Sequence, residues 1–219
     1  MCPRLKPLSV FILTAVCAAD FLPGVEPVDK IPAGQLPPCC RVALPVGPFS
    51  DQSLYQLDSK WTSDVGREVK LGVFRGRVQV VAMFFTHCEY ACPIIVEDMK
   101  RIERALPPDL RSRVDFLLVS FDAERDTPAA LHEFRARREL SAAHWSLLRG
   151  REDDVRELAA LLGINYQRDA RGKFAHSNVI HLLNPEGEVV HQQNGLDKDG
   201  AGTVAAIARA LATSSSTKP

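Results

Sequence analysis

The stretch that decides the fold is VQVVAMFFTHCEYACP, residues 78–93. Its first half is a continuous apolar run, which is typical of a central strand buried on both faces. Pro93 occupies a plausible first helical position, and residues 94–106 have helical periodicity. The segment therefore predicts a buried strand that leads through a short loop into a helix, with Cys88 and Cys92 at the junction.

Strands and helices alternate along the chain beyond this segment. The predicted strands cover 78–85, 114–121, 145–148, 179–183 and 188–191, and the predicted helices cover 94–106, 127–138, 153–162 and 203–211. Asn-Pro-Glu-Gly at 184–187 separates the last two strands as the turn of a hairpin. This order predicts an α/β protein, specifically a thioredoxin-like sandwich in which helices flank a central mixed sheet.

The N-terminus has the three-part layout of a secretory signal peptide. Two cations precede an apolar run over residues 8–17, and small residues follow that run. We expect residues 1–19 to be a signal peptide. An uncleaved anchor is the weaker alternative, because the run is shorter than the roughly 20 residues of a membrane span. A lipid-modified Cys17 is less expected still, because Thr14 stands where lipoprotein signals usually have leucine.

The remaining organisation follows from proline content and periodicity. Residues 20–50 contain seven prolines, which remove backbone donors and favour an extended chain, so this segment is predicted to be a spacer. Residues 51–213 are predicted to form the thioredoxin-like domain. The sequence SSSTKP, residues 214–219, is predicted to be a flexible tail.

The composition is that of an ordinary soluble protein. Twenty-seven basic residues balance 27 acidic ones among 219 residues, and 46% of residues are hydrophobic. These values exclude a disordered chain and a polytopic membrane protein. The balanced charge also argues against a nucleic-acid partner, which requires a basic surplus. Removal of residues 1–19 would reduce the six cysteines to four: Cys39, Cys40, Cys88 and Cys92.

The pair Cys88 and Cys92 carries the candidate chemistry. Four-residue spacing lets both sulfurs lie on one side of a first helical turn or of the loop before it. The free amides and the dipole at a helix N-terminus stabilise a thiolate there. Two such sulfurs can oxidise to a disulfide or hold a soft metal such as Cu(I), and a purely structural disulfide is the plain alternative. Cys39 and Cys40 have no assigned role, because adjacent cysteines rarely bridge each other.

Three motifs stand in order along the chain: FTHCEYACP at 85–93, SFDAERDTP at 120–128 and AHS at 175–177. In this order they resemble motifs of the Sco/SenC family of copper-binding, thioredoxin-like proteins. FTHCEYACP at 85–93 is similar to the family's FTHC-x-x-x-CP. SFDAERDTP at 120–128 resembles S-V-D-P-x-R-D-T-P. AHS at 175–177, followed by a strand and NPEGE, resembles the family's D-H-S before a strand and turn. The likeness covers about residues 50–200.

The resemblance implies a function and a site. It implies that Cys88, Cys92 and His176 bind one copper ion, as Cu(I) or Cu(II). It further implies a metallochaperone that serves assembly of cytochrome c oxidase and is exported to the periplasm or to the outer face of the inner membrane. The implied partners are a copper donor protein and a recipient, either the copper-site subunit of the oxidase or another cuproprotein. An uncleaved N-terminus would add a membrane tether.

The resemblance also selects among the histidines. His176 and His181 are nearly equivalent candidates from the residues alone, and the AHS match favours His176. His87 adjoins Cys88, but its side chain is expected to point away from that of its neighbour, and His132 and His144 are expected at the surface. Ala175 replaces the acidic residue that commonly precedes the family's histidine. This departure puts the affinity of the site for Cu(II) and its redox potential in doubt.

Asp122 and Asp126 have two interpretations. Each carboxylate could support the metal site from behind its ligands. The structural interpretation is favoured, because an aspartate at a strand end and a helix cap at Asp126 or Thr127 explain these residues. Arg125 is expected to pair with one of the two carboxylates.

Three other functions remain open at this stage. A thiol–disulfide oxidoreductase would reduce the cysteines of a cuproprotein with Cys88 and Cys92 as its redox pair. A peroxidase of the same fold class is less favoured, because no pattern around Cys88 indicates a separately activated cysteine. A structural exported domain with a Cys88–Cys92 disulfide would neither bind metal nor exchange thiols.

Overall fold

The computed structural model describes residues 49–169 and 174–216. The predicted signal peptide, nearly all of the predicted spacer with Cys39 and Cys40, and residues 217–219 lie outside the described residues. The strands are β1 (Trp61–Ser63), β2 (Glu68–Val69), β3 (Val78–Phe84), β4 (Val114–Ser120), β5 (Trp145–Arg149), β6 (Tyr166–Arg168), β7 (Phe174–His176), β8 (Val179–Leu183) and β9 (Val189–Asn194). The helices are α1 (Ala91–Ala105), α2 (Pro108–Arg111), α3 (Pro128–Arg137), α4 (Glu152–Leu161) and α5 (Ala201–Ser216).

Seven of these strands form one mixed sheet in the order β2-β1-β5-β4-β3-β8-β9. The central strands β3 and β4 are parallel, with Val78 opposite Val114 and Phe84 opposite Ser120. Every residue of both strands is buried, as the unbroken apolar runs require of strands covered on both faces. β5 continues the parallel order, whereas β8, β9, β1 and β2 add antiparallel pairs. The predicted α/β fold with a central mixed sheet is confirmed.

Local signals set the helix ends. Thr127 caps α3 by accepting a hydrogen bond from the amide of Ala130 at 3.2 Å, and Pro128 supplies the first helical residue. Gly163 follows α4 in the left-handed conformation at φ 66°, where glycine has no steric penalty. Within the described part of the chain, no helix combines the length and the apolar character that crossing a membrane requires.

Several short elements were not predicted. The strands β1 and β2, the helix α2 and the hairpin of β6 and β7 have only two to four residues each, too few to show a periodicity. The predicted start of α1 was wrong, because the helix begins at Ala91 and so includes Cys92 in its first turn. The helix α5 extends to Ser216, past the predicted end at 211 and into the predicted tail.

Candidate metal centre

Cys88, Cys92 and His176 come together at one end of the central sheet. Their sulfur and nitrogen atoms all lie within 4.8 Å of one another, and they are the one group of this kind found among the described residues. Cys88 lies in the loop after β3, Cys92 in the first turn of α1, and His176 at the end of β7. The sequence therefore predicted each member of this cluster, although it did not predict the hairpin that carries the histidine.

The loop between β3 and α1 fixes the positions of the two sulfurs. The Cys88 amide donates to the carbonyl of Phe85 at 3.2 Å, which turns the chain back toward the sheet. The Cys92 amide then donates to the Cys88 sulfur at 3.3 Å, because helix N-terminal amides have no partner within the helix. Neither cysteine is in a disulfide; Cys92 is buried, whereas Cys88 is half-buried.

The imidazole of His176 has a defined orientation. Its Nδ1 atom lies 3.0 Å from the carbonyl oxygen of Ser177, and its Nε2 atom lies 3.7 Å from the sulfur of Cys92. Because a carbonyl oxygen can only accept, Nδ1 carries the proton in neutral His176. The lone pair of Nε2 is thereby directed at the sulfur pair. Fixing one ring nitrogen in this way is the usual support for a metal-ligating histidine.

Aromatic side chains hold the hairpin of β6 and β7 in place. The ring of Phe121 lies 5.1 Å from the ring of His176, and the ring of Phe85 lies 6.1 Å from it, edge to face. Tyr166 and Phe174 of the hairpin pack on the same two phenylalanines, with ring separations of 4.9 and 5.2 Å. Sequence analysis missed this role. The signal available was the position of Phe85 and Phe121, each directly after a central strand.

The two sulfurs differ in protonation. The hydrogen bond from Cys92 lowers the pKa of the Cys88 thiol well below its usual range, and the backbone amides of Cys92 and Tyr90 lower it further against the opposing effect of burial. The hydrogen bond to Cys88, burial and the charge of Cys88 raise the pKa of Cys92. The pair is therefore one thiolate and one thiol that share a proton.

Asp126 anchors the loop that carries Cys88. Its buried carboxylate accepts hydrogen bonds from the Thr86 amide at 3.0 Å and from the Thr86 hydroxyl at 2.5 Å, and it also accepts from the hydroxyl of Ser120. Thr127, not Asp126, is the cap of α3. The predicted pairing of Arg125 with a carboxylate is confirmed, because the Arg125 Nε donates to Asp122.

The other described histidines lie outside the cluster. His181 is fully buried on β8, with Nε2 at 2.8 Å from the carbonyl oxygen of Leu162. His191 contacts the hydroxyl of Thr203. His132 is exposed, as predicted, whereas His144, directly before β5, is half-buried beside Asp115. His87 lies near Asp126 and the Thr86 hydroxyl.

The donor set is suited to a soft metal ion. Two sulfurs favour Cu(I), and a neutral imidazole binds either oxidation state of copper. In the described structure no carboxylate belongs to the three-residue cluster, and position 175 is an exposed alanine. The same two thiols, held next to each other, can also form a disulfide and exchange it with another protein.

Comparisons of the sequence with known proteins point to one family. The sequence model of the SCO1/SenC family matches residues 51–212. The SCO1 protein homolog of Bacillus subtilis is 28% identical over 137 residues, which cover 60% of this chain and 69% of that protein.

Solved structures show the same fold. The copper-bound structure of ScoI from Bradyrhizobium japonicum has a TM-score of 0.59 at 22% identity, covering 70% of this chain and 97% of that one. BsSco, a member of the Sco family of cytochrome c oxidase assembly proteins with a disulfide switch, has a TM-score of 0.62 at 22% identity, covering 79% and 99%.

Proposed function

Because the chain belongs to the SCO1/SenC family, we propose that it binds one copper ion through Cys88, Cys92 and His176 and delivers it to a cuproprotein. The observation that carries this proposal is the cluster of two sulfurs and one nitrogen within 4.8 Å of one another. Thiolates favour Cu(I), and the imidazole offers its Nε2 lone pair to the same point. The recipient in this proposal is the copper-site subunit of cytochrome c oxidase.

The location and organisation form part of the same proposal. The signal-like segment at 1–19 would export the chain to the periplasm or leave it attached to the outer face of the inner membrane. The segment 20–50 would be a spacer before the domain at 51–213. A direct check is the cellular fraction in which a tagged full chain is found.

Copper titration of the reduced chain tests the site. Every variant should carry serine in place of Cys2, Cys17, Cys39 and Cys40, so that thiols outside the site do not contribute. We expect one equivalent of Cu(I) to be bound tightly, and Cys88→Ser, Cys92→Ser and His176→Ala each to weaken that binding. The matched control is His132→Ala, which removes an exposed imidazole outside the cluster. Undiminished binding in all three site variants would rule the proposal out.

A second function is favoured by the protonation of the thiol pair. Cys88 as a thiolate can attack a disulfide of a target protein, and Cys92 can then resolve the mixed disulfide, leaving the target reduced and this chain oxidised. This thiol–disulfide oxidoreductase would prepare the cysteines of a cuproprotein for copper. It does not require His176, so a His176→Ala chain that keeps full reductase activity and loses copper binding would separate the two functions.

A further inference from the structure

A second imidazole, that of His87, lies next to the proposed copper site. The side chain of His87 is 59% exposed. Together with Cys88 it lines a cavity of about 620 Å³ that reaches across to Phe134 and Arg138. Among the described residues, His87 does not belong to the group of atoms formed by Cys88, Cys92 and His176. Its ring therefore lies beside the site without being part of it.

A chain of hydrogen bonds fixes the tautomer of this ring. The Thr86 hydroxyl donates its single proton to the Asp126 carboxylate at 2.5 Å, and the same oxygen lies 3.0 Å from Nδ1 of His87. The hydroxyl can then only accept from His87, so Nδ1 of the neutral ring must carry the proton. The lone pair of His87 is left on Nε2. The Asp126 carboxylate also accepts hydrogen bonds from the Thr86 amide and from the Ser120 hydroxyl.

The three proposed ligands differ in how well an incoming ion could reach them. Cys92 is fully buried, whereas His176 is half-buried and has the rings of Phe85 and Phe121 packed against it. Cys88 is half-buried and lines the cavity, and His87 is the exposed nitrogen donor on the same wall. The cavity therefore offers an open approach to Cys88, and His87 lines it as well.

We propose that His87 is a transfer ligand, the first group of this chain to bind Cu(I) as it arrives through the cavity. This inference rests on the proposed copper-binding function and adds a fourth residue to it. The Asp126–Thr86–His87 chain has the arrangement in which an outer carboxylate or hydroxyl orients a histidine for a metal ion. The substrate is Cu(I) carried on a soft ligand of another molecule.

The transfer is a sequence of ligand exchanges in which copper remains Cu(I). A bond from His87 Nε2 to copper forms as one bond to the donor breaks. The Cys88 thiolate then replaces the remaining donor ligand, and Cys92 and Nε2 of His176 displace His87. The Cys92 proton leaves to solvent, because metal-bound thiols are deprotonated. No electron is transferred, so no oxidant or reductant is required.

The test measures uptake rate and equilibrium binding separately, using the Cu(I)–bicinchoninate complex as donor and loss of its colour as the signal. In the full chain, His87→Gln should slow uptake at least about tenfold, the effect of losing one contact worth roughly 1.4 kcal/mol in the transfer state. Its final copper stoichiometry and affinity should remain those of the unmutated chain. The control is His132→Gln, an imidazole that is 64% exposed and does not line the cavity, and it should leave the rate unchanged.

A second readout does not use copper. Long-range proton–nitrogen NMR of the neutral ring should show the proton of His87 on Nδ1 in the unmutated chain and in Thr86→Ser. It should show a shift toward Nε2 in Thr86→Val, which keeps the side-chain shape and removes the hydroxyl. An unchanged uptake rate in His87→Gln, or a proton on Nε2 in the unmutated chain, overturns the transfer role alone. Absence of any Cu(I) uptake by the unmutated chain overturns the copper-binding function as well.

Discussion

The Nε2 atom of His176 lies 3.7 Å from the sulfur of Cys92, although the two residues are 84 positions apart in the chain. One belongs to a short hairpin strand and the other to the first turn of α1. The distance between them exists only in the folded state, because no local structure joins the two segments. Copper binding through these residues, as proposed, would therefore be coupled to folding.

The first prediction follows from this coupling. Cu(I) at about 100 times its dissociation constant should raise the free energy of unfolding of the reduced chain by at most about 2.7 kcal/mol, the value reached when the unfolded chain binds no copper. In His176→Ala the same copper concentration should stabilise much less, because loss of the imidazole weakens binding to the folded chain while the cysteines of the unfolded chain still bind copper. Urea unfolding with and without Cu(I) measures the difference. Equal stabilisation of both chains would show that His176 is not a ligand.

The second prediction concerns the aromatic residues behind His176. Phe121→Leu should weaken Cu(I) binding about tenfold or more, as expected when a group that orients a ligand is lost. The mutation removes the ring that lies 5.1 Å from the imidazole. Phe116→Leu is the matched control, because Phe116 is equally buried but stacks on Trp145 instead. The control should lose stability and keep its copper affinity. A comparable loss of affinity in both variants would show that Phe121→Leu acts through general destabilisation and not through the orientation of His176.

The central sheet was predictable from the sequence because its strands are apolar on both faces. The runs at 78–85 and 114–121 match β3 and β4 to within one residue. Cys88 and Cys92 were predictable for a similar local reason, since their spacing and their place at a helix start are visible in the sequence. The choice of His176 over His181 required the family resemblance. His181 is excluded as a ligand because it is buried and bonded to the Leu162 carbonyl, and both features depend on tertiary packing that the sequence does not show.

The supporting groups were not predictable in the same way. Asp126 and Thr86 are 40 positions apart, and they meet because β3 and β4 are parallel and end at the same edge of the sheet. A helix-capping role for Asp126 explains the local sequence equally well. Only the register of the two strands shows that its carboxylate binds the loop before Cys88 instead.

The third prediction tests that loop. Asp126→Asn leaves one acceptor oxygen for three donors, the Thr86 amide and the hydroxyls of Thr86 and Ser120. We expect a loss of roughly 1–3 kcal/mol in the free energy of unfolding, the cost of an unsatisfied buried polar group. Faster hydrogen exchange should be confined to residues 86–88. Asp122→Asn is the control, because Asp122 binds Arg125 and not this loop; equal exchange at 86–88 in both variants would contradict the anchoring role.

The last prediction concerns stability against pH and rests on His181. Burial lowers the pKa of this histidine in the folded chain, and the hydrogen bond to the Leu162 carbonyl only partly opposes that shift. Below about pH 6.5, the usual pKa of histidine, His181 takes up a proton in the unfolded chain but not in the folded chain. The contribution of His181 to the free energy of unfolding therefore decreases as the pH is lowered from about 6.5 to the lowered pKa of the folded chain. That contribution should change by up to about 1.4 kcal/mol per pH unit and disappear in His181→Gln. Urea unfolding between about pH 5 and pH 8, the range in which histidine titrates, measures the slope, with His132→Gln as the exposed control. A slope as steep in His181→Gln as in the unmutated chain would assign the acid sensitivity to another group.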